Sequence, residues 1–221
     1  MAEASDLWDD FFQNRISTPH IELFECENLE VKSFLRGRKN RRYLKRNPKM
    51  EALVRDVCSI IIQEHEKKQT NVDGMIYCMY SLVDSKVIPL YIGKAERIGR
   101  NGNLSANISD AMSKSGSLFA RWGYGYAYHL GDLSAAVFGH ERKPVPKYEK
   151  WANELFSDKE SLQLKSQVYF WCEAWKQNLT GPWNEYGPTS LSFLEYQLIG
   201  IGSKMNPNIL NAEGTNFRLD E

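Results

Sequence analysis

Apolar and polar positions along the chain follow two different periods, and the change of period marks the elements. Met50, Leu53, Val54, Val57, Ile60 and Ile61 recur three and four residues apart, the spacing of a helix with one buried face. Asn47-Pro48 precedes them, a capping residue followed by proline at the first helical position. This predicts a helix over 48–68. The period then shortens. Gly74-Met75-Ile76-Tyr77 continues through Cys78–Val83, breaks at Asp84-Ser85-Lys86 and resumes as Val87–Gly93. β-Branched and aromatic runs around a short polar break predict a hairpin over 74–93. Further on, the pattern predicts a glycine-broken loop at 97–102, a short helix at 104–114 and a third strand at 126–132. A basic loop over 140–147, a helix over 148–156, a strand over 167–171, a loop over 180–188 and a helix over 190–200 follow. Residues 1–46 have no strong period and read as irregular or partly helical.

Composition narrows the class. The chain has 221 residues, 42% apolar and 25% charged, which is ordinary globular usage. The length suits one domain with an extension: an acidic and basic helical segment over 1–72, then a domain over 73–221. No apolar run approaches the ~18 residues of a membrane span, and the acidic start lacks a signal-peptide core. The expectation is a cytoplasmic protein that does not engage a membrane. Cys26, Cys58, Cys78 and Cys172 have no zinc-ligand spacing and read as reduced, mostly buried thiols.

The formal net charge is zero, which by itself argues against a nucleic-acid binder. The average hides an asymmetry. Residues 1–30 hold eight acids and one base, whereas 36–49 hold eight Lys/Arg and no acid. Arg38, Lys39, Arg41, Arg42, Lys45 and Arg46 can track a phosphate backbone. The alternative is a solvated loop paired with the acidic N-terminal region.

Glu195 is the chemically informative residue of the last helix. At about 100° per residue, Leu191, Leu194, Leu198 and Ile199 define one face, and Glu195 falls inside that arc. An ionised carboxylate there is costly unless it is paired with Arg or Lys or bound to a metal.

Tyr77 and Tyr91 lie on the two strands of the hairpin, the second followed by Ile92-Gly93-Lys94. This arrangement resembles the signature of the GIY-YIG endonuclease superfamily, with Glu195-Tyr-Gln-Leu-Ile similar to its metal-binding segment. The resemblance covers about 74–211. It implies an α+β fold, with a small, mainly antiparallel three-stranded sheet flanked by helices. It also implies a Mg²⁺-dependent endonuclease acting on double-stranded DNA, resembling the stand-alone restriction-type members. In that reading Tyr77 activates the attacking water, Tyr91 positions it, and Glu195 holds one Mg²⁺. Lys94 lowers the tyrosine pKa or holds a phosphate oxygen. An arginine neutralises the developing charge, with Arg121 favoured among its aromatic neighbours over Arg97 and with Arg100 in reserve. His129 is a candidate proton donor or phosphate contact. Asn211, ahead of Asn208, is the steadying asparagine after Pro207. Cutting both strands at a symmetric site would call for a homodimer.

Two other readings remain: a structure-selective repair nuclease of the same superfamily, and a nucleic-acid-binding module without catalysis. The basic run and the aromatics of 119–128 would suit the latter. No Ser/His/Asp arrangement, phosphate-binding glycine loop or zinc motif points to another hydrolase.

Overall fold

The computed structural model describes residues 3–141 and 145–216; positions 142–144 of the predicted basic loop lie outside the described residues. Helix α1, Ala4–Phe12, opens with a capping box between Glu3 and Asp6 and buries Trp8, Phe11 and Phe12. Four short strands follow: β1 Cys26–Glu27, β2 Glu30–Val31, β3 Ser33–Arg36 and β4 Arg41–Leu44. Helix α2, Pro48–Glu66, starts as predicted, with the Asn47 side chain accepting the Lys49 N–H at 2.9 Å.

The hairpin is longer than 74–93. Strands β5, Val72–Val83, and β6, Lys86–Glu96, are joined through Asp84 (φ 49°) and Ser85 (φ 64°). Two left-handed residues in succession match the right-handed twist of the flanking strands. The remaining elements are α3 Ala106–Asp110, α4 His129–Phe138, α5 Pro146–Leu155, β7 Phe156–Asp158, β8 Gln163–Leu164, β9 Tyr169–Lys176 and α6 Leu191–Met205. The Ser190 side chain caps α6 by accepting the Phe193 N–H.

The fold is α+β. The central sheet is three-stranded and antiparallel, in the order β6-β5-β9. Alternate residues of β5 point to opposite faces. Met75, Tyr77 and Met79 join the core formed with α2, α4 and α5, while Ile76, Cys78 and Tyr80 join the core formed with α1 and α6. Both faces are covered, so β5 reads as a continuous apolar run. Strand β6 is an edge, and there the layers on the two sides of the sheet meet.

Three expectations change. The segment 126–132 is not a strand: it enters α4, where Leu130, Leu133 and Ser134 are buried at helical spacing. The third strand is β9, pairing Tyr77 with Cys172, so the run predicted at 167–171 extends to Lys176. Residues 1–46 hold one helix, the two-stranded β3-β4 sheet and two strands of a four-stranded sheet ordered β1-β2-β8-β7, not a helical extension. They do not stand apart from the rest, because β2 pairs with β8, Glu30 opposite Gln163. Four-residue strands are too short to show a period, which is why they read as irregular. The four cysteines are free thiols, three of them buried. Among the described residues no helix is long and apolar enough to cross a membrane.

Candidate active site

The register of the hairpin sets the site. Tyr77 lies directly opposite Gly93, and its ring occupies the space a side chain at 93 would need. A Cβ on Gly93 would fall 2.6 Å from the Tyr77 oxygen, so glycine is required here for the ring to lie flat across the neighbouring strand. The Tyr77 and Tyr91 rings sit 6.4 Å apart.

Tyr77 is buried, and its hydroxyl is 3.0 Å from His129 Nε2. The other ring nitrogen of His129, Nδ1, is 2.9 Å from the Tyr148 hydroxyl. His129 is the first residue of α4 and stacks on Trp151. Burial, then the charges of Lys147 and Arg121, hold its pKa well below the usual histidine value. A neutral imidazole donates from one nitrogen and accepts at the other, so Tyr77-His129-Tyr148 is a buried relay. This corrects the expected role of His129: both nitrogens are occupied, leaving none for a leaving oxygen or a phosphate.

The tyrosines also depart from expectation. Desolvation raises the pKa of both, and in each case the opposing effect of Arg121 is smaller. Lys94 does not lower either one. Its ammonium bonds Ser192 Oγ and Glu96 at 2.5 Å each, on the α6 side of the sheet, and stands 4.0 Å from Glu195. The cation beside Tyr91 is Lys147, at the start of α5, 3.2 Å from the Tyr91 hydroxyl. Burial and Arg121 push the Lys147 pKa down to about 8. Nothing in the spacing signals Lys147, which reaches the site because α5 packs on α4 and turns Lys147 and Trp151 toward the Tyr91 ring.

Tyr91, Lys147, Glu195, Tyr196 and Asn211 line a cleft of about 310 Å³. The Glu195 side chain is 19% exposed. Burial raises its pKa, opposed mainly by Lys94, and Lys147 also lowers it. The Asn211 amide is committed to the backbone. It accepts the Ile92 N–H at 3.0 Å and donates to the Ile92 carbonyl at 2.8 Å. These groups of Ile92 face away from β5, so Asn211 closes the open edge between Tyr91 and Gly93. Asn206, which no sequence signal marks, does the same at the Pro89 carbonyl.

A neighbouring cavity of about 480 Å³ is lined by Lys94, Arg100 and Arg121, so the structure brings the favoured and the reserve arginine together. Arg121 carries the positive charge that bears on Tyr77, Tyr91, His129 and Lys147. It ends three consecutive left-handed residues, Phe119, Ala120 and Arg121 (φ 27°, 48° and 73°), and its guanidinium lies 5.1 Å over Tyr128. Such backbone is costly for non-glycine residues and is held by its surroundings. Arg97 donates to the Gln69 carbonyl instead.

The basic run forms the β3–β4 hairpin, with Arg38 and Lys39 exposed at its tip. Arg42 bonds Ser33 and lies over Phe138, and Lys45 pairs with Glu25 at 2.7 Å. Arg46 departs from the expected phosphate-tracking surface. It is 4% exposed, paired with Glu51 at 2.8 Å, bonded to the Trp122 carbonyl, and stacked on Phe119 and Tyr124.

A single carboxylate with open space beside it fits Mg²⁺, which keeps several waters and takes other oxygens from a phosphate. Burial raises the cost of charging Glu195, a cost an adjacent cation offsets. Among the described residues no group of three or more His, Cys, Asp or Glu side chains gathers as a metal site. Compared with family models, curated proteins and solved structures, the chain matches none.

Proposed function

We propose that the chain is a Mg²⁺-dependent endonuclease acting on double-stranded DNA, of the restriction type that the tyrosine motif resembles. One observation carries the reading. A half-buried Glu195, with Lys94 only at 4.0 Å, shares a cleft with a tyrosine whose hydroxyl touches a lysine of lowered pKa. Mg²⁺ held by Glu195 would supply Lewis-acid charge to the phosphate and the leaving oxygen.

The remaining steps belong to the chain's own groups. Neutral Lys147 accepts the proton of a water, directly or through the Tyr91 hydroxyl, and the water oxygen attacks phosphorus. The bond to the 3′ oxygen breaks, and that oxygen takes a proton from the charged Lys147 or from solvent. Arg121 and Lys94, on the walls of the adjoining cavity, bind the non-bridging oxygens as charge develops. Tyr77, through His129, holds the hairpin surface on which Tyr91 stands. This assigns proton transfer to Tyr91 and Lys147 instead of Tyr77, whose hydroxyl is buried.

Binding without hydrolysis is the second reading, favoured by the raised pKa of both tyrosines. A supercoiled-plasmid assay separates the two. Nicked or linear product that requires Mg²⁺ and disappears in Glu195→Gln, with duplex affinity in chelator retained, is the expected result. Binding of duplex, single strand and RNA with no cleavage of any would replace the nuclease reading with the binding module.

A further inference from the structure

A third cleft lies away from Glu195 and is strongly basic. It is bounded by the β3–β4 hairpin, one face of α2 and the loop around Ser115, and has a volume of about 300 Å³. Arg36, Lys45, Arg46, Arg55 and Lys114 line it, against Glu51 as the acidic wall residue. The two halves of this set differ in availability. Glu51 is taken by Arg46, and Lys45 by Glu25. The Arg36 guanidinium donates to the Ser115 carbonyl and the Ser117 hydroxyl. Among the described residues, the Arg55 guanidinium meets the ring of Phe119, 5.5 Å away, and no hydrogen-bond or ion-pair partner, and the Lys114 ammonium has no partner.

Arg46 is the informative member. Its Nε goes to Glu51 and its Nη1 to the Trp122 carbonyl, while Nη2 has no hydrogen-bond partner among the described residues. A Cβ on Gly116 (φ +55°) would sit 3.0 Å from that Nη2. Glycine at 116 therefore keeps the edge of a buried guanidinium uncovered. A buried, immobilised Arg with a free N–H edge, flanked by two uncommitted cations, is matched by a tetrahedral oxyanion, whose oxygens accept from several donors at once.

We propose that this cleft is a phosphate site, occupied by a backbone phosphate of the bound nucleic acid away from the cut position. The source of the phosphate rests on the nucleic-acid reading above; the phosphate chemistry does not. The segment 116–124 connects the two sites. Gly116 and Tyr124 wall the basic cleft, and Arg121 reaches the catalytic cavity. Five residues of chain span at most about 18 Å, so one duplex can touch both.

The test uses the full chain and two variants, Lys114→Gln and Arg55→Gln/Lys114→Gln, which leave Arg46 in place. Calorimetric titration with inorganic phosphate at fixed ionic strength probes the pocket. Duplex binding in chelator, measured across salt concentrations, probes the source. Saturable phosphate binding is expected in the parent and at least tenfold weaker in the double variant, with the duplex salt slope reduced by about 1–2. Phosphate binding abolished in the variant, with no duplex bound by the parent, would keep the pocket, assign it to a free phosphate and overturn the nucleic-acid source. No saturable phosphate binding and an unchanged salt slope on a duplex that still binds would overturn the site and leave the nuclease reading standing.

Discussion

Lys147→Met tests the electrostatics of the candidate site without assuming any activity. The methionine keeps an unbranched apolar chain over the rings of Tyr91 and Trp151, which lie 4.6 and 5.3 Å from the ammonium, and removes the charge. Burial and Arg121 lower the lysine pKa from 10.5 to about 8. That interval corresponds to about 3 kcal/mol at 1.36 kcal/mol per unit, and solvent screening at a partly exposed position reduces it to about 1–2 kcal/mol. The folded chain sheds the proton above about pH 8, while the unfolded chain keeps it until 10.5. The unfolded state therefore binds more protons across that window, and the parent gains stability as pH rises through it. The variant has no such gain. Urea unfolding of both at pH 7, 8, 9 and 10.5 should show the parent gaining about 1–2 kcal/mol on the variant. In the plasmid assay, the parent rate should rise with pH to a plateau above about 8, and the variant should lack the rise. A gap that stays constant from pH 7 to 10.5 would mean that Lys147 titrates as an ordinary surface lysine, and the proton-transfer role would fall with it.

Gly93→Ala drives a methyl into the Tyr77 ring and should cost about 2–4 kcal/mol, combining overpacking with displacement of the Tyr77 hydroxyl from its hydrogen bond to His129; denaturant midpoints check it, and Tyr77→Ala in the same chain should recover part of the loss. His129, held neutral, gives a stability that is full above pH 6.5 and falls as the unfolded state takes up a proton below it. The fall is up to about 1.4 kcal/mol per pH unit. His129→Asn should be less stable at pH 7 but flatter between pH 6.5 and 5, and an equal slope in both proteins would place the acid sensitivity elsewhere.

The hairpin and the last helix were legible because each carries a local signal: two apolar runs around Asp84-Ser85, and an acid inside an apolar helical arc at Glu195. The cap residues Asn47 and Ser190 sit at helix starts that the sequence marked at 48 and 190. The segment 126–132 misled because Tyr126, Tyr128 and Leu130 alternate as in a strand, although the helical packing of Leu130, Leu133 and Ser134 wins in the folded chain. Lys147, the Tyr77-His129-Tyr148 relay and the Asn211 clamp were not legible. Each joins residues 19 to 119 positions apart, and no periodicity reports a contact made by docking. Burial had a second effect that composition could not show: it raised the tyrosines instead of activating them, and it withdrew Arg46 from a run of otherwise similar cations.

The clamp on Ile92 comes from a residue 119 positions further along the chain. At about 5–20 residues per second, the ribosome takes roughly 6–24 s to add that length. During that interval the hairpin exists with an unguarded margin, and for most of it without Glu195 as well. On the nuclease reading proposed above, the growing polypeptide lacks the metal-holding carboxylate until residue 195 has been made and the clamp until residue 211.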